Sequence, residues 1–291
     1  MVADAQALTD NADNPEKVRD NVFEVVKDNL ACGLNPKKTT FFVQSKIPEI
    51  AELTVFFLNL VTLARLKRNP TVKDEMKQKG FGEDVPAGFL SYPVSQAGDI
   101  LFAKANLIPV GEDQLPVIEQ TNEIVEKFNR IYKKTFSKVK ALTSDTTRLV
   151  GIDGKAKASK SLGNAILLSD DHATIKKKVM QMYTDPGHTS VDKPGKVEGN
   201  VVFTYLDAFD SNKEKVAELK KQYKKGGLGD VAIKEYLIEV LEDLISPIRE
   251  RREKITNEEV IDVLKKGTKR AKKQAEETMT EVREAMKINY F

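Results

Sequence analysis

The sequence predicts an α/β fold, with a parallel sheet covered by helices on both faces followed by an all-helical C-terminal domain. Three observations carry this. Strand-like and helix-like segments alternate over the first part of the chain. From about Ser169 onward only helical patterns follow. Between the two regions lies a loop-forming stretch, residues 151–164, "GIDGKAKASKSLGN", with three lysines, two serines and three glycines. The expected domain boundary therefore falls near residue 168, giving domains 1–168 and 169–291, with the final helices able to pack back on the first domain.

In chain order, "MVADAQAL" shows the apolar–small alternation of a buried strand. A helix follows over 14–33. Asn14 suits its cap and Pro15 its first position, Val18, Val22, Val25, Val26 and Leu30 recur at helical spacing, and Gly33 suits its stop. The β-branched and aromatic run "TTFFVQS", 39–45, reads as a strand. Residues 47–66 read as one long helix, apolar on most faces and therefore buried. "FLSYPVSQAGDILFAKA" predicts a helix starting near Pro93, "LIPVGEDQ" a short strand entering a turn, and "LPVIEQTNEIVEKFNRIY" an amphipathic helix. Ligands of parallel sheets gather beyond the carboxyl ends of the strands. Here "VADAQ", "VQS" and "VGEDQ" all end on polar residues.

In the C-terminal part, Ser169-Asp170-Asp171 and the capping box Thr256/Glu259 are helix starts. Gly226-Gly227 separates two helices. No internal repeat is visible.

Composition bounds the function. The 291 residues are 40% hydrophobic and 31% charged, as in a soluble globular protein. A net charge of +3 neither demands nor excludes a nucleic-acid partner. With one cysteine, Cys32, no internal disulfide or cysteine metal cage can form, and His172 and His188 alone make no zinc site, so no metal site is expected. No run of about 18 apolar residues suggests a membrane span, and no apolar leader is seen. A reduced, cytoplasmic protein is expected.

The lysine-rich loop carries the chemistry. Lysine ammonium groups on long stems reach moving phosphates, and serine hydroxyls add neutral donors. Lys157 and Lys160 with Ser159 and Ser161 suit a triphosphate, and Gly151, Gly154 and Gly163 would let the loop move. A solvated linker fits the same composition. The stretch is not a Walker loop, since G-x-x-x-x-G-K-S/T is missing from it.

"KASKS" resembles the K-M-S-K-S signature of class I aminoacyl-tRNA synthetases, with Ala158 in place of methionine. The segments "VADAQALTDN", "FVQSKIPEIAELT", "RNPTVKDE", "FLSYPVSQAGDILFAKANLIPVGEDQLPVIEQTNEIVEKFN", "SKSLGNAILLSDD", "KKKVMQMYTDP" and "GGLGDVAIKEYLIEVLEDLISPIRERR" resemble, in order and spacing, the bacterial-type tryptophanyl-tRNA synthetase family. The resemblance spans nearly the whole chain. It implies a Rossmann-like nucleotide-binding domain followed by a helical domain that reads the tRNA anticodon.

It also implies roles for residues. Asp99 in "AGDIL" matches the aspartate that accepts the indole N–H of tryptophan. Indole N–H is only a donor, and a buried carboxylate is an acceptor that phenylalanine cannot satisfy. Gln96 and Tyr92, three and seven residues earlier on the same helix face, line the amino-acid pocket by the same resemblance, and Gln6 and Gln44 face tryptophan. Gly111, Glu112, Asp113 and Gln114 match the turn that meets the nucleotide. Arg148 matches a position touching adenine through its backbone, and Lys157, Ala158, Ser159, Lys160 and Ser161 match the ATP-binding loop, with Lys157 and Lys160 catalytic. ATP with Mg²⁺, tryptophan and tRNA(Trp) are the implied substrates, and a homodimer the implied assembly. The basic residues Arg249, Arg251, Arg252, Lys269, Arg270, Lys272 and Lys273 suit tRNA phosphates or solvated helix faces alike.

Two departures from the family pattern stand out. Ala158 removes a methionine that packs the loop. The family's H-I-G-H-like segment, often Pro-Ser/Thr-Gly-x-x-His-Ile/Leu-Gly, holds ATP phosphates at a helix N-terminus. No such motif occurs in these residues, and Met1-Val2-Ala3-Asp4 aligns within the family's second strand. The expectation is a synthetase chain lacking that N-terminal segment and the first central strand. The alternatives are a degenerate relative that binds tRNA or tryptophan without catalysis, and a tyrosine-specific relative.

Overall fold

The computed structural model describes residues 1–82, 84–143, 149–160 and 162–290. The chain forms two compact units, one of Met1–Ser144 with Ile255–Phe291 and one of Asp145–Lys254. The division thus falls earlier than residue 168, and the last helix belongs with the N-terminal segment.

In the first unit, helices α1 (Asp4–Asn11), α2 (Pro15–Ala31), α3 (Pro48–Leu58), α4 (Leu63–Arg68), α5 (Pro70–Gln78) and α6 (Ala87–Leu101) precede strand β1 (Leu107–Pro109). Helix α7 (Leu115–Ile131) then crosses over to β2 (Lys140–Leu142), and α12 (Asn257–Met286) completes the unit. β1 and β2 pair in parallel, with Leu107 opposite Lys140 and Pro109 opposite Leu142. The architecture is α/β. Its sheet among the described residues is this small parallel pair.

Four expected elements differ. Residues 39–45 and the chain start form no strands. They meet in one parallel bridge, Val2 to Val43, with Val2 N–H donating to Phe42 and Gln44 N–H donating to Val2. The ladder stops because the helix-favouring run Ala-Gln-Ala-Leu enters α1 at Asp4. The Asp4 carboxylate instead binds the backbone N–H and hydroxyl of Ser45. The helix expected over 47–66 is two helices, because the Thr62 hydroxyl caps a new one by accepting from Arg65 N–H at 3.2 Å. α6 starts at Ala87, six residues before Pro93, which lies buried inside it. Strand β2 gave no sequence signal, because its three residues "KAL" carry no alternation of apolar and polar positions.

Other local readings hold. Asn14 caps α2 by accepting from Lys17 N–H, and Gly33 takes a φ of +100° just beyond its end. The core of the first unit packs Phe42, Ile50, Leu53 and Phe57 with Val94, Leu101, Ile124, Phe128, Met279 and Val282. α12 comes so close to the 41–43 segment that a Cβ on Gly267 would lie 1.7 Å from the Phe41 carbonyl oxygen.

The second unit is helical among its described residues, with α8 (His172–Met180), α9 (Val201–Phe209), α10 (Lys213–Lys225) and α11 (Asp230–Lys254). Asp171 caps α8, and Gly226 and Gly227 both take positive φ at the break before α11. Its core joins Ile175, Val179, Phe203, Leu206, Tyr223, Ile233 and Leu237. Among the described residues no helix is long and apolar enough to cross a membrane.

Candidate active site

Helix α6 carries the first group of candidate residues. Gly98 lets it approach α3 closely, since a Cβ there would lie 2.8 Å from the Thr54 hydroxyl and 3.2 Å from the Ile50 carbonyl. Tyr92, Gln96 and Asp99 share one face by their spacing. Tyr92 is buried, its ring edge-on to Phe89 at 5.8 Å. The Gln96 Oε1 is buried and has no hydrogen-bond partner among the described residues. Such an acceptor is rare in a folded protein and calls for a donor from elsewhere.

Asp99 is reached from the other side by a turn of 3₁₀ helix, Gln44–Lys46. Gln44 is 5% exposed. Its Nε2 donates to Asp99 Oδ1 at 2.8 Å, and its Oε1 accepts from Gln6 N–H at 2.9 Å. Gln6 thus joins the group through its backbone. Burial pushes the Asp99 carboxyl up to about 6 from an ordinary 3.8, while the Gln44 amide and the Met1 amino group pull it down.

The second group is the turn after β1. Gly111 precedes a 3₁₀ turn, Glu112–Gln114, and Gln114 N–H donates back to the Gly111 carbonyl. A Cβ on Gly111 would lie 2.6 Å from Asp113 Oδ1. Glu112 and Asp113 are exposed. The Thr71 hydroxyl donates to the Asp113 carbonyl at 2.7 Å, and Asn69, fully buried, caps α5 and donates to Gln120 Oε1 at 3.0 Å. The turn is thus anchored to the start of α5. Asn69-Pro70 is a recognisable helix-start signal, but its partner Gln120 is distant in sequence.

The third group lies in the second unit. Arg148 and Ser161 fall outside the described residues. Lys157 and Lys160 are exposed. Lys157 forms an antiparallel bridge with Val150, and Ala158 N–H donates to the Leu149 carbonyl. Asn164, which sequence reasoning missed, organises the loop. Its Oδ1 accepts from Ser159 N–H at 2.8 Å, and its Nδ2 lies 3.3 Å from the Lys157 carbonyl and 3.4 Å from Asp153 Oδ1. Two of the glycines are closely packed. A Cβ on Gly151 would lie 2.1 Å from Asn164 Nδ2, and one on Gly154 would meet the Tyr183 ring at 3.0 Å.

The sequence pattern of the family described as tRNA synthetases class I (W and Y) matches residues 1–246. The chain belongs to this family. A tryptophan–tRNA ligase of Clostridium longisporum is 56% identical over all of this chain and 87% of its own length. A tryptophan–tRNA ligase of Lactococcus lactis is 54% identical over all of this chain and 88% of its own length. The crystal structure of the Campylobacter jejuni tryptophanyl-tRNA synthetase complexed with ADP and tryptophan superposes with a TM-score of 0.83 at 29% identity, over 98% of this chain and 88% of that one.

Proposed function

We propose that this chain is a tryptophan–tRNA ligase. It activates tryptophan with ATP to tryptophanyl-adenylate and pyrophosphate, then transfers the tryptophanyl group to the terminal ribose of tRNA(Trp). The observation that carries the reading is the 56% identity to a tryptophan–tRNA ligase along the entire chain. The half-buried Asp99 carboxylate is an acceptor suited to the indole N–H, and the choice of tryptophan over tyrosine rests on the tryptophan–tRNA ligases that the chain resembles.

Residues take roles by their chemistry. Asp99 accepts the indole N–H, Tyr92 packs the pocket wall, and the unpartnered Gln96 Oε1 receives a donor from the amino acid. The turn 111–114 meets the ribose and the amino acid's ammonium. The tryptophan carboxylate oxygen attacks the α-phosphorus, and the bond to the pyrophosphate oxygen breaks. Lys157 and Lys160 offset the charge that develops on the departing pyrophosphate, and Ala158, Ser159 and Ser161 shape the loop around it. Arg148 meets adenine through its backbone. Mg²⁺ arrives with ATP as the substrate complex, held mainly by phosphate oxygens. Catalysis of this kind rests on positioning and charge, with no covalent enzyme intermediate.

The helices that follow the lysine loop, from residue 169 on, read the tRNA anticodon. Exposed Lys269 and Lys272 on α12 meet tRNA phosphates, whereas Lys273 pairs with Glu277 at 3.9 Å, Arg249 is held by Glu242 at 3.0 Å and Arg270 by the Pro36 carbonyl at 3.1 Å. A second copy of the chain packs on the apolar surface of Val55 and Leu58 on α3 and Leu63 on α4, of which Leu63 is 68% exposed. The protein acts in the cytoplasm.

The test is ATP–pyrophosphate exchange with tryptophan and, separately, tyrosine, followed by charging of tRNA(Trp). Exchange stimulated by tryptophan at least about 100-fold over tyrosine supports the reading. Tyrosine-stimulated exchange overturns the substrate, and tryptophan binding without exchange overturns the catalytic assignment.

A further inference from the structure

We propose that Gln44 is a positioning residue for tryptophan recognition, holding the Asp99 carboxylate by Oδ1 so that Oδ2 is the oxygen left to accept the indole N–H. The inference rests on the tryptophan reading of Asp99 and adds a residue that touches no substrate. A carboxylate turns about a broad, two-fold torsion, so on its own it presents either oxygen in a range of directions. A fixed donor on one oxygen removes that freedom.

Gln44 is suited to this by three observations. First, its orientation is determined twice over. The backbone N–H of Gln6 requires an acceptor, which is Oε1, and this places Nε2 toward Asp99. A flipped amide would set an oxygen against a carboxylate oxygen and a donor against a donor. Second, its mounting is rigid. Gln44 sits in a 3₁₀ turn between the Val2–Val43 bridge and α3, and the next core residue, Ile47, is 1% exposed. Third, among the described residues Asp99 accepts a hydrogen bond from Gln44 alone. Its direction is therefore set by this contact. An amide does this without titrating, whereas a glutamate at position 44 would set a second carboxylate beside the first.

The discriminating experiment is calorimetric titration of the full chain with two ligands. One is tryptophan and the other is β-(3-benzothienyl)alanine, in which sulfur replaces the indole N–H. A positioning role for Gln44 acts only on a ligand that donates. Gln44→Met keeps the side-chain length and removes the donor. It is expected to weaken tryptophan about tenfold to a hundredfold, the span of a hydrogen bond to a charged group, and to leave the analogue within about twofold. Gln44→Glu keeps the acceptor for Gln6 and replaces the donor, so the same selective loss is expected from it, which preserves the test if the methionine variant does not fold. Parallel weakening of both ligands would show a merely structural role and overturn the proposal, as would unchanged tryptophan affinity in both variants. A wild-type chain that binds the analogue as tightly as tryptophan, with Asp99→Asn indifferent to both, would instead overturn the underlying reading of Asp99.

Discussion

Gly267 in α12 is the position where a single methyl group should do most harm. A Cβ there would lie 1.7 Å from the carbonyl oxygen of Phe41, 2.6 Å from its carbon and 2.9 Å from its nitrogen. All three are backbone atoms, so no side chain can rotate out of the way. Normal carbon–oxygen contact begins near about 3.3 Å, and the helix must therefore retreat by about 1.5 Å. Two effects oppose each other in Gly267→Ala. Alanine favours the helix by about 1 kcal/mol over glycine. Overpacking against immobile atoms costs about 3 kcal/mol, and the retreat also loosens Phe41 from Val26, Val260 and Leu264. The net expectation is a destabilisation of about 2 kcal/mol, or a fall in Tm of roughly 4–8 °C, followed by circular dichroism. Lys269→Ala, exposed on the same helix, should stay within about 0.5 kcal/mol. Phe41 lies three residues before Gln44, so the alanine variant should also bind tryptophan more weakly. A Tm equal to or above that of the wild type would refute the reasoning, because it would mean that helix propensity outweighs the close approach.

Asn164→Ala removes the acceptor for Ser159 N–H and should raise KM for ATP in pyrophosphate exchange several-fold, with a stability cost of about 1–3 kcal/mol measurable by urea unfolding. Asp99 should make tryptophan binding pH-dependent. Its folded value of about 6 lies above the ordinary 3.8, so the ionised, binding form is lost as pH falls through about 6. Affinity should be flat above that pH and fall toward tenfold per pH unit below it, and Asp99→Asn should flatten the profile, as titrations across about pH 5 to 8 will show. The same shift makes Asp99 lower the stability of the free protein progressively as pH rises from 3.8 to about 6. Phe57→Ala opens the ring cluster with Phe128 and Phe136, at 6.3 and 5.7 Å, and should cost about 3–5 kcal/mol on thermal unfolding.

The helices were legible wherever the signal is local. Asn14, Asp171 and Thr256 each cap the helix their position announces, because a cap needs only the N–H groups two or three residues on. Asp99 and 111–114 stand out in the sequence as motifs of the resembling family, and their roles are proposals. What was not legible depends on partners distant in the chain. "TTFFVQS" has a strand's composition, yet a strand needs a neighbour, and the neighbour turns into a helix after a single bridge. The bond from the Gln44 amide to Asp99 joins residues 55 positions apart, which no local pattern announces. Asn164 follows a glycine in an unremarkable turn, and its role becomes visible only when the lysine loop folds back over it. The close neighbours of Gly151 and Gly154 likewise cannot be seen from composition.

Tryptophan recognition turns on Asp99 as the acceptor for the indole N–H. Because the chain contains no tryptophan, the fluorescence of the ligand can be followed directly against a protein free of indole background. Titrating tryptophan with the wild-type chain and with Asp99→Ala, both shown to be folded, should give saturable binding to the first and a loss of at least about 100-fold in the second. Equal affinity of the two proteins would contradict it.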